Sequence, residues 1–582
     1  MAEFKLSEKK LYKPFSNDLE NLEIFSFLRK ILRPEKNFFY VAIIYGVAVS
    51  ILSLATPLSV QLLINSVSFT ALAQPIAVLG IILLVLLIFS GILNALQIYV
   101  AELFQRRFFA RTAAEIALKL IKAKHSSLEE SNSSELVNRF FDVSAIQKIV
   151  PRFLTESFSL VLQTAIGLLL VACYHPALLV FSIIIIASIY LIWRFFGRKA
   201  IKASLYESRR KYDVAAWLED IGRSNNMFKS EIGQNYAKYK VDFLTSQYLK
   251  ERKQHFRQLF SQIILLLALY AISSAALLVI GGWLVLKGQL TIGQLVASEL
   301  VLSTILYGIS KFGKDFENFY DLAAACEKLS QFYNIPEEDK KEIILKDEPI
   351  QISLNSVSAE FFNRKYFFNL TFEAGKNYIV STEGSSVQKF LINFLGALDF
   401  PDSGTVDFNN QDVTGLNINN LRSKIITIDN SNLLEGTIEE YLTFNNKLIK
   451  KSRVLEVLKI TEFDKVMLRL GLNLESRIIP SGWPLSETEK ILLKVARTIL
   501  LEPKVIIITE VLDMLGLDTR RKVLRYLTKS HQATIIYFSN RRDDMMDFDK
   551  YVFVDHETST SFLEISDLDE FEKKYFSNHS NG

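Results

Sequence analysis

Glu299 lies about two turns into the last of several long apolar runs, within Ala297-Ser298-Glu299-Leu300-Val301. A carboxylate at membrane depth is costly to ionise, so it is a default candidate for a transport pathway; a wet vestibule or a structural pair is the competing reading. Asn94 and Gln97, in an earlier apolar run, are candidates of the same kind. Other chemistry is poorly supplied. The six histidines, His125, His175, His255, His531, His556 and His579, lack metal-ligand spacing, and two cysteines exclude a disulfide framework or a Cys-rich zinc site. No metal is expected. Lys and Arg total 67 against 63 Asp and Glu, a net +4 that is far from the basic excess of a nucleic-acid binder.

The elements that would hold these groups are apolar and long. The 582 residues are 49% hydrophobic and 22% charged, and mean hydropathy is +0.20, which is unusual for a wholly soluble enzyme. Six stretches approach the roughly 20 apolar residues a helix needs to cross a bilayer core. They lie at Phe38–Val67, Pro75–Val100, about Phe153–Ala172, Pro176–Phe196, about Leu259–Leu286 and Leu290–Phe312. Ile183-Ile184-Ile185-Ile186 shows no polar stripe, which argues against buried helices of a soluble core. The connections at Ser66–Gln74, Cys173-Tyr174-His175 and Lys287-Gly288-Gln289 are short. The stretch after the second span carries Arg106, Arg107, Arg111, Lys119, Lys122 and Lys124, and that after the fourth carries Arg194, Arg198, Lys199, Lys202, Arg209, Arg210 and Lys211. Positive charge marks the cytoplasmic side, so both segments and both termini are expected there. Helical patterning continues through these segments, which predicts helices extending well below the bilayer. No cleavable signal peptide is evident, and Leu19–Leu32 reads as an amphipathic helix on the inner surface. The expected location is a bacterial inner membrane.

The charged segment Pro336-Glu337-Glu338-Asp339-Lys340-Lys341-Glu342 marks a boundary, giving a membrane domain at 1–330, a linker at 331–350 and a second domain at 351–582. Beyond it, short β-branched runs alternate with amphipathic helices. Tyr378-Ile379-Val380, Ile425–Ile428, Val505–Ile508 and Thr534–Phe538 read as buried parallel strands of an α/β domain.

This order resembles a half-transporter of the ABC exporter family: a helical membrane domain of about six spans followed by an α/β P-loop-like ABC domain. Gly281-Gly282-Trp283-Leu284-Val285 followed by Gly288-Gln289-Leu290-Thr291-Ile292-Gly293 is similar to the family's turn between its last two spans. Glu135–Val143 and Ala215-Ala216-Trp217-Leu218-Glu219-Asp220 resemble the two intracellular segments of peptide and protein exporters, whose tips dock on the soluble domains; Trp217 is expected to pack between helices. Pro401-Asp402-Ser403-Gly404-Thr405-Val406 and Leu433-Leu434-Glu435-Gly436-Thr437-Ile438 fall at family spacing.

The resemblance also fixes the register of the nucleotide motifs, and there the chain departs from the pattern. A phosphate loop, G-x-x-x-x-G-K-[ST], uses glycines to wrap backbone amides around phosphates, Lys to neutralise them and a hydroxyl to hold Mg²⁺. In that register Gly384 is a single glycine displaced by one position, followed by Ser385 and Ser386; Val387 takes a glycine's place, Gln388 the lysine's and Lys389 the hydroxyl's. The Mg²⁺-organising aspartate becomes Thr509, and the catalytic base is kept as Glu510. The signature L-S-G-G-Q becomes Leu485-Ser486-Glu487-Thr488-Glu489, setting two carboxylates against a polyanion. The γ-phosphate-sensing glutamine becomes Asp429, a later aspartate Gly516, and the switch histidine Asn540. Phe361 or Phe362 is available to stack on adenine.

Phosphoryl transfer depends on positioning together with Lys and Mg²⁺ electrostatics, and each lost charge partner costs roughly 3 kcal/mol or more. The resemblance therefore implies an exporter subunit that is catalytically inactive by itself, with ATP and Mg²⁺ bound weakly at most or through a partner. The expected partner is an ATPase-competent ABC half, with export accessory proteins possible. The alternatives are a non-hydrolytic channel, scramblase or regulatory scaffold, and an ordinary ATP-driven exporter. A further expectation pairs the Lys389 ammonium with Glu510, a built-in cation at the metal position.

Overall fold

The computed structural model describes residues 20–69, 74–129, 138–361, 364–530, 532–541 and 548–579. The main division of the chain falls between Pro336 and Glu337. Glu135, Leu136 and Val137 of the first intracellular segment, and Phe362, lie outside the described residues.

The first unit is helical: α1 (Glu20–Leu32), α2 (Lys36–Leu52), α3 (Ala55–Phe69), α4 (Gln74–Lys122), α5 (Asp142–Arg152), α6 (Phe158–Tyr174), α7 (Pro176–Arg223), α8 (Glu231–Leu286) and α9 (Ile292–Tyr333). Among the described residues five helical stretches are long and apolar enough to cross a membrane, and α9 adds a shorter apolar stretch, Ile292–Thr304. The first span is not one helix, as its unbroken apolarity suggested. It breaks between Leu52 and Ala55, because Pro57 has no N–H to offer the Ser53 carbonyl four residues back and its ring crowds that group. The helix α4 has 49 residues and α8 has 56. At 1.5 Å per residue these run to about 74 and 84 Å, more than twice a hydrocarbon core of about 30 Å.

Helix starts follow local chemistry. The His175 ring nitrogen accepts the Ala177 amide at 3.1 Å with Pro176 in the first turn, and Thr291 and Gln294 form a reciprocal capping box on α9. Gly293 lets α9 approach α3: a Cβ there would lie 2.5 Å from Asn65 Oδ1 and 2.7 Å from the Gln61 carbonyl. Two kinds of contact bind the bundle. One apolar cluster gathers Leu168, Leu178, Ile185, Leu266, Leu277, Leu284 and Val301. Elsewhere ion pairs cross-link α7, α8 and α9: Arg252 with Glu207 at 3.1 Å and Glu317 at 3.5 Å, His255 with Glu207 at 2.6 Å, and Arg209 with Glu327. Trp217 is buried, edge-on to Phe228 and Tyr236, with the Lys240 ammonium 3.8 Å from its ring centre.

The second unit holds two main sheets and a two-stranded pair, β7 (Gly436–Thr437) with β8 (Arg477–Ile478). β1 (Ile352–Phe361), β2 (Arg364–Phe372), β4 (Ser403–Phe408) and β5 (Gln411–Asp412) form an antiparallel sheet in the order β2-β1-β4-β5. The other sheet runs β12-β11-β3-β10-β9-β6, where β3 is Asn377–Thr382, β6 Ile425–Ile428, β9 Val505–Ile508, β10 Thr534–Phe538, β11 Lys550–Val554 and β12 Ser559–Phe562. The four runs read as buried strands are β3, β6, β9 and β10, all parallel neighbours; Val505 to Ile508 are fully buried. The helices α10 (Ser385–Leu395), α11 (Glu487–Leu501) and α12 (Leu517–Ser530) flank this sheet. The segment with linker composition is tied down: Arg422 grips Glu338 with two bonds of 2.8 and 2.7 Å, and Lys424 Nζ donates to the carbonyls of Leu345 and Lys346 at 2.8 and 2.7 Å.

In the first unit Glu35 is 1% exposed and meets Arg107 at 3.1 Å and Arg111 at 3.3 Å, which joins the turn after α1 to α4. Removing one partner of a buried pair strands the other charge. The double variant Arg107→Ala/Arg111→Ala, which leaves the Glu35 carboxylate buried and unpaired, is expected to destabilise the solubilised protein by roughly 3 kcal/mol in a thermal-unfolding assay. Glu102→Ala, which removes the exposed Arg106 pair, is expected to leave the midpoint unchanged.

Candidate nucleotide site

Ligands of open α/β sheets bind beyond the carboxyl ends of the strands. There β3 ends at Thr382 and α10 begins at Ser385, so Ser385 to Lys389 are the first turn of a helix; Gly384 is its extended N-cap and offers no side chain. Val387 is 2% exposed and packs with Leu391 and Phe394 in the core. Its inward methyl groups commit this turn to hydrophobic packing. Ser385, Ser386 and Lys389 are exposed.

Two charged groups that spacing did not single out stand beside this turn. Glu383 accepts from Arg364 Nη2 at 2.9 Å and from the His556 amide at 3.2 Å, and meets His556 Nδ1 at 2.8 Å. Burial pushes its carboxyl up, but the bonds from His556 and Arg364 outweigh this and hold it below the ordinary value of 4.5.

The candidate base, Glu510, is exposed at the end of β9 and accepts a hydrogen bond from Gln388 Nε2. The expected Lys389–Glu510 pair is therefore corrected: among the described residues no ion pair joins them. Gln388 takes that contact because it, and not its neighbour, faces β9 from the first turn of α10. Thr509 is buried and turns its hydroxyl to the Ile428 carbonyl at 3.1 Å, so it satisfies the backbone of β6. Gly516 precedes α12, and Asn540 is exposed after Ser539. Ser539, Tyr537 and Arg520 all converge on Asp513.

The loop after β6 is closed by a lysine the motif comparison missed. Lys494, on α11 and 8% exposed, donates to the carbonyls of Asp429 and Ser431 at 2.7 and 2.5 Å and lies 3.4 Å from Asp429 Oδ1. Burial lowers its pKa, against the opposing pull of Asp429. The start of α11 is likewise closed. Ser486 caps it in a reciprocal box with Glu489, whose carboxylate accepts the Ser486 amide at 2.8 Å and pairs with Arg469. Leu485 is buried, Thr488 lies 3.2 Å from the Ser486 hydroxyl, and Glu487 pairs with Lys490 at 2.7 Å.

These residues do not fit a magnesium-bound triphosphate. The phosphate-neutralising position carries an amide engaged with the candidate base, and a carboxylate already occupies the helix N-terminus that would face phosphate. Phe361 ends β1. Among the described residues no group of three or more His, Cys, Asp or Glu could hold a metal ion.

In the membrane half, Glu299 accepts from the Ser274 hydroxyl at 3.2 Å, and its second oxygen is buried without a hydrogen-bond partner. Asn94 is exposed. Gln97 is 1% exposed and donates to the carbonyls of Ala42 and Leu154 at 3.3 Å each, which makes it a brace between helices.

Because Glu383 titrates below 4.5 when folded, its network stabilises fully above that value and loses its contribution as pH falls through the folded value. The unfolding midpoint of the protein is expected to exceed that of Glu383→Gln by at most about 1 kcal/mol equivalent at neutral pH, with the gap closing in acid. A gap that widens in acid would contradict this assignment.

Comparison with known proteins agrees with the architecture. Residues 39–309 match the family model described as ABC transporter transmembrane region. The chain is similar to the leukotoxin translocation ATP-binding protein LktB of Mannheimia haemolytica, 20% identical over 539 residues, covering 89% of this chain and 74% of the relative. The protein of the same name in Mannheimia glucosida is 20% identical over 547 residues with the same coverage. A bacterial Atm1-family ABC exporter solved with ATP bound superposes with a TM-score of 0.76 over 93% of this chain and 96% of that one, at 15% identity. The bacterial relatives accord with an inner-membrane location. Residues 39–309 thus match an ABC transporter transmembrane region, and the chain, a multi-pass integral membrane protein, has the fold of an ABC exporter.

Proposed function

We propose that this chain is a non-hydrolysing subunit of a polypeptide exporter, working with a second ABC half that hydrolyses ATP. The Gln388–Glu510 hydrogen bond carries this reading: the residue in the phosphate lysine's place engages the one retained catalytic group. A general base must act beside a neutralised phosphate, and here one oxygen of the base is held by a neutral amide where the family places a cation. The self-capped start of α11 supports the same reading for the surface the chain would lend to a partner. In this family each composite site joins one subunit's phosphate loop to the other's signature, so two copies of this chain contain no competent site. A polypeptide cargo is supported by the translocation of leukotoxin that names the relatives and by the resemblance of the intracellular segments. Glu299 is proposed as a pathway residue, since its orphaned oxygen leaves one acceptor without a structural role.

The purified chain is expected to hydrolyse ATP at background rate, and Glu510→Gln to change nothing. Gln388→Lys alone is expected not to restore turnover, because the Mg²⁺ ligands are still missing. Turnover of the chain alone, reduced about a hundredfold or more by Glu510→Gln, would overturn the proposal. Co-purification from the native host, followed by ATPase assay of the assembly, tests the partner: activity is expected to track the second half's own base and not Glu510.

A further inference from the structure

Within the membrane half, α6, α7 and α9 enclose a partly open cavity of about 610 Å³ that no nucleotide chemistry explains. Its volume lies inside the range of roughly 300–1,000 Å³ common to small-molecule pockets. Thr164 and Ala165 form one wall, Ile186, Tyr190 and Trp193 a second, and Phe316 the third. The mouth looks outward: Ile186, Tyr190 and Trp193 are 52%, 59% and 41% exposed. A cavity walled almost wholly by hydrocarbon and aromatic surface, opening at membrane depth, suits an acyl chain.

Its height along α7 specifies the lipid further. The Trp193 ring lies against Gly197, where a Cβ would meet the indole nitrogen at 3.2 Å, so it leans one turn toward the basic segment. Trp and Tyr concentrate at the level of lipid headgroups. Arg194 follows at once, and Arg198 and Lys199 come within about 9 Å of helix rise; with Lys202 they are exposed and make no ion pair among the described residues. Asp315, beside the cavity-lining Phe316, is 5% exposed and lies 4.0 Å from Arg152, which also meets Glu156 at 3.3 Å. Arg194 and Arg198 flank the cavity side of α7, while Lys199 and Lys202 turn to its far side; the first two are left for an external anion, and the cytoplasmic leaflet supplies anionic headgroups at this level.

We propose that this cavity is a binding site for an anionic phospholipid of the cytoplasmic leaflet, with one acyl chain between Ala165 and Trp193 and the phosphodiester headgroup on Arg194 and Arg198. The site is independent of the reading given to the ABC domain. Its test uses the full-length protein in nanodiscs with Trp193 as the sole tryptophan, through Trp217→Phe, Trp283→Phe and Trp483→Phe. Phosphatidylglycerol with brominated acyl chains is expected to quench Trp193 saturably, at about threefold or more lower content than brominated phosphatidylcholine. The double variant Arg194→Gln/Arg198→Gln is expected to abolish that preference while leaving quenching by phosphatidylcholine intact, which also reports correct folding. Ala165→Phe, which fills the cavity, is expected to weaken quenching by both lipids. Equal quenching by the two lipids in the parent protein would overturn the proposal and mark ordinary annular lipid. No quenching by either would overturn it too, placing this face under another protein surface.

Discussion

The carboxyl ends of parallel strands and the amino ends of the helices beside them form a surface of unfinished hydrogen bonds and aligned dipoles. In a nucleotide-binding domain a charged ligand completes that surface. In this chain the completion is internal: Gln388 engages Glu510, Glu489 closes the start of α11, Lys494 closes the loop after β6, and Glu383 holds Arg364 and His556 together. None of these contacts requires the fold to change, because the central strands β9 and β10 beneath are buried throughout and indifferent to what the loops hold.

On the function proposed above, the architecture persists while the chemistry departs. The core rests on the close-packed runs Val505–Ile508 and Thr534–Phe538, together with Val387, Leu391 and Phe394 of α10. Val387 serves both sides of the division. A valine at that point strengthens packing under the sheet and at the same time removes the backbone freedom that a phosphate cradle needs. Stability and ligand binding are therefore in direct competition at one position, and this sequence sides with stability.

The membrane half obeys a different constraint. Within lipid, apolar side chains gain nothing by meeting one another rather than acyl chains, so specificity falls to close approach and buried polar braces. The missing side chain of Gly293 against Asn65, and Gln97 reaching two carbonyls, are such devices. Further along α9, Glu317 pairs with Arg252 of α8, an ion-pair cross-link. One helix thus uses two kinds of adhesion along its length.

Hydropathy, strand periodicity and motif order were enough to read six spans, a parallel sheet and the ABC exporter architecture, since these depend on repeated, locally encoded patterns. That Gln388 stands where the resemblance places a phosphate lysine was equally visible, because a residue type at a given register is a one-dimensional fact. What Gln388 contacts was not. Lys389 was the natural partner for Glu510 on charge alone, yet helical phase at the start of α10 brings Gln388 there instead. Arg364 and His556, 192 residues apart, meet at Glu383 only because β2 and β11 lie beside β3's end. The sequence by itself determined which side chains this protein has for chemistry and which segments enter the membrane; the tertiary structure alone decided which charges face one another, because side-chain direction and strand order bring together groups that chain distance keeps apart.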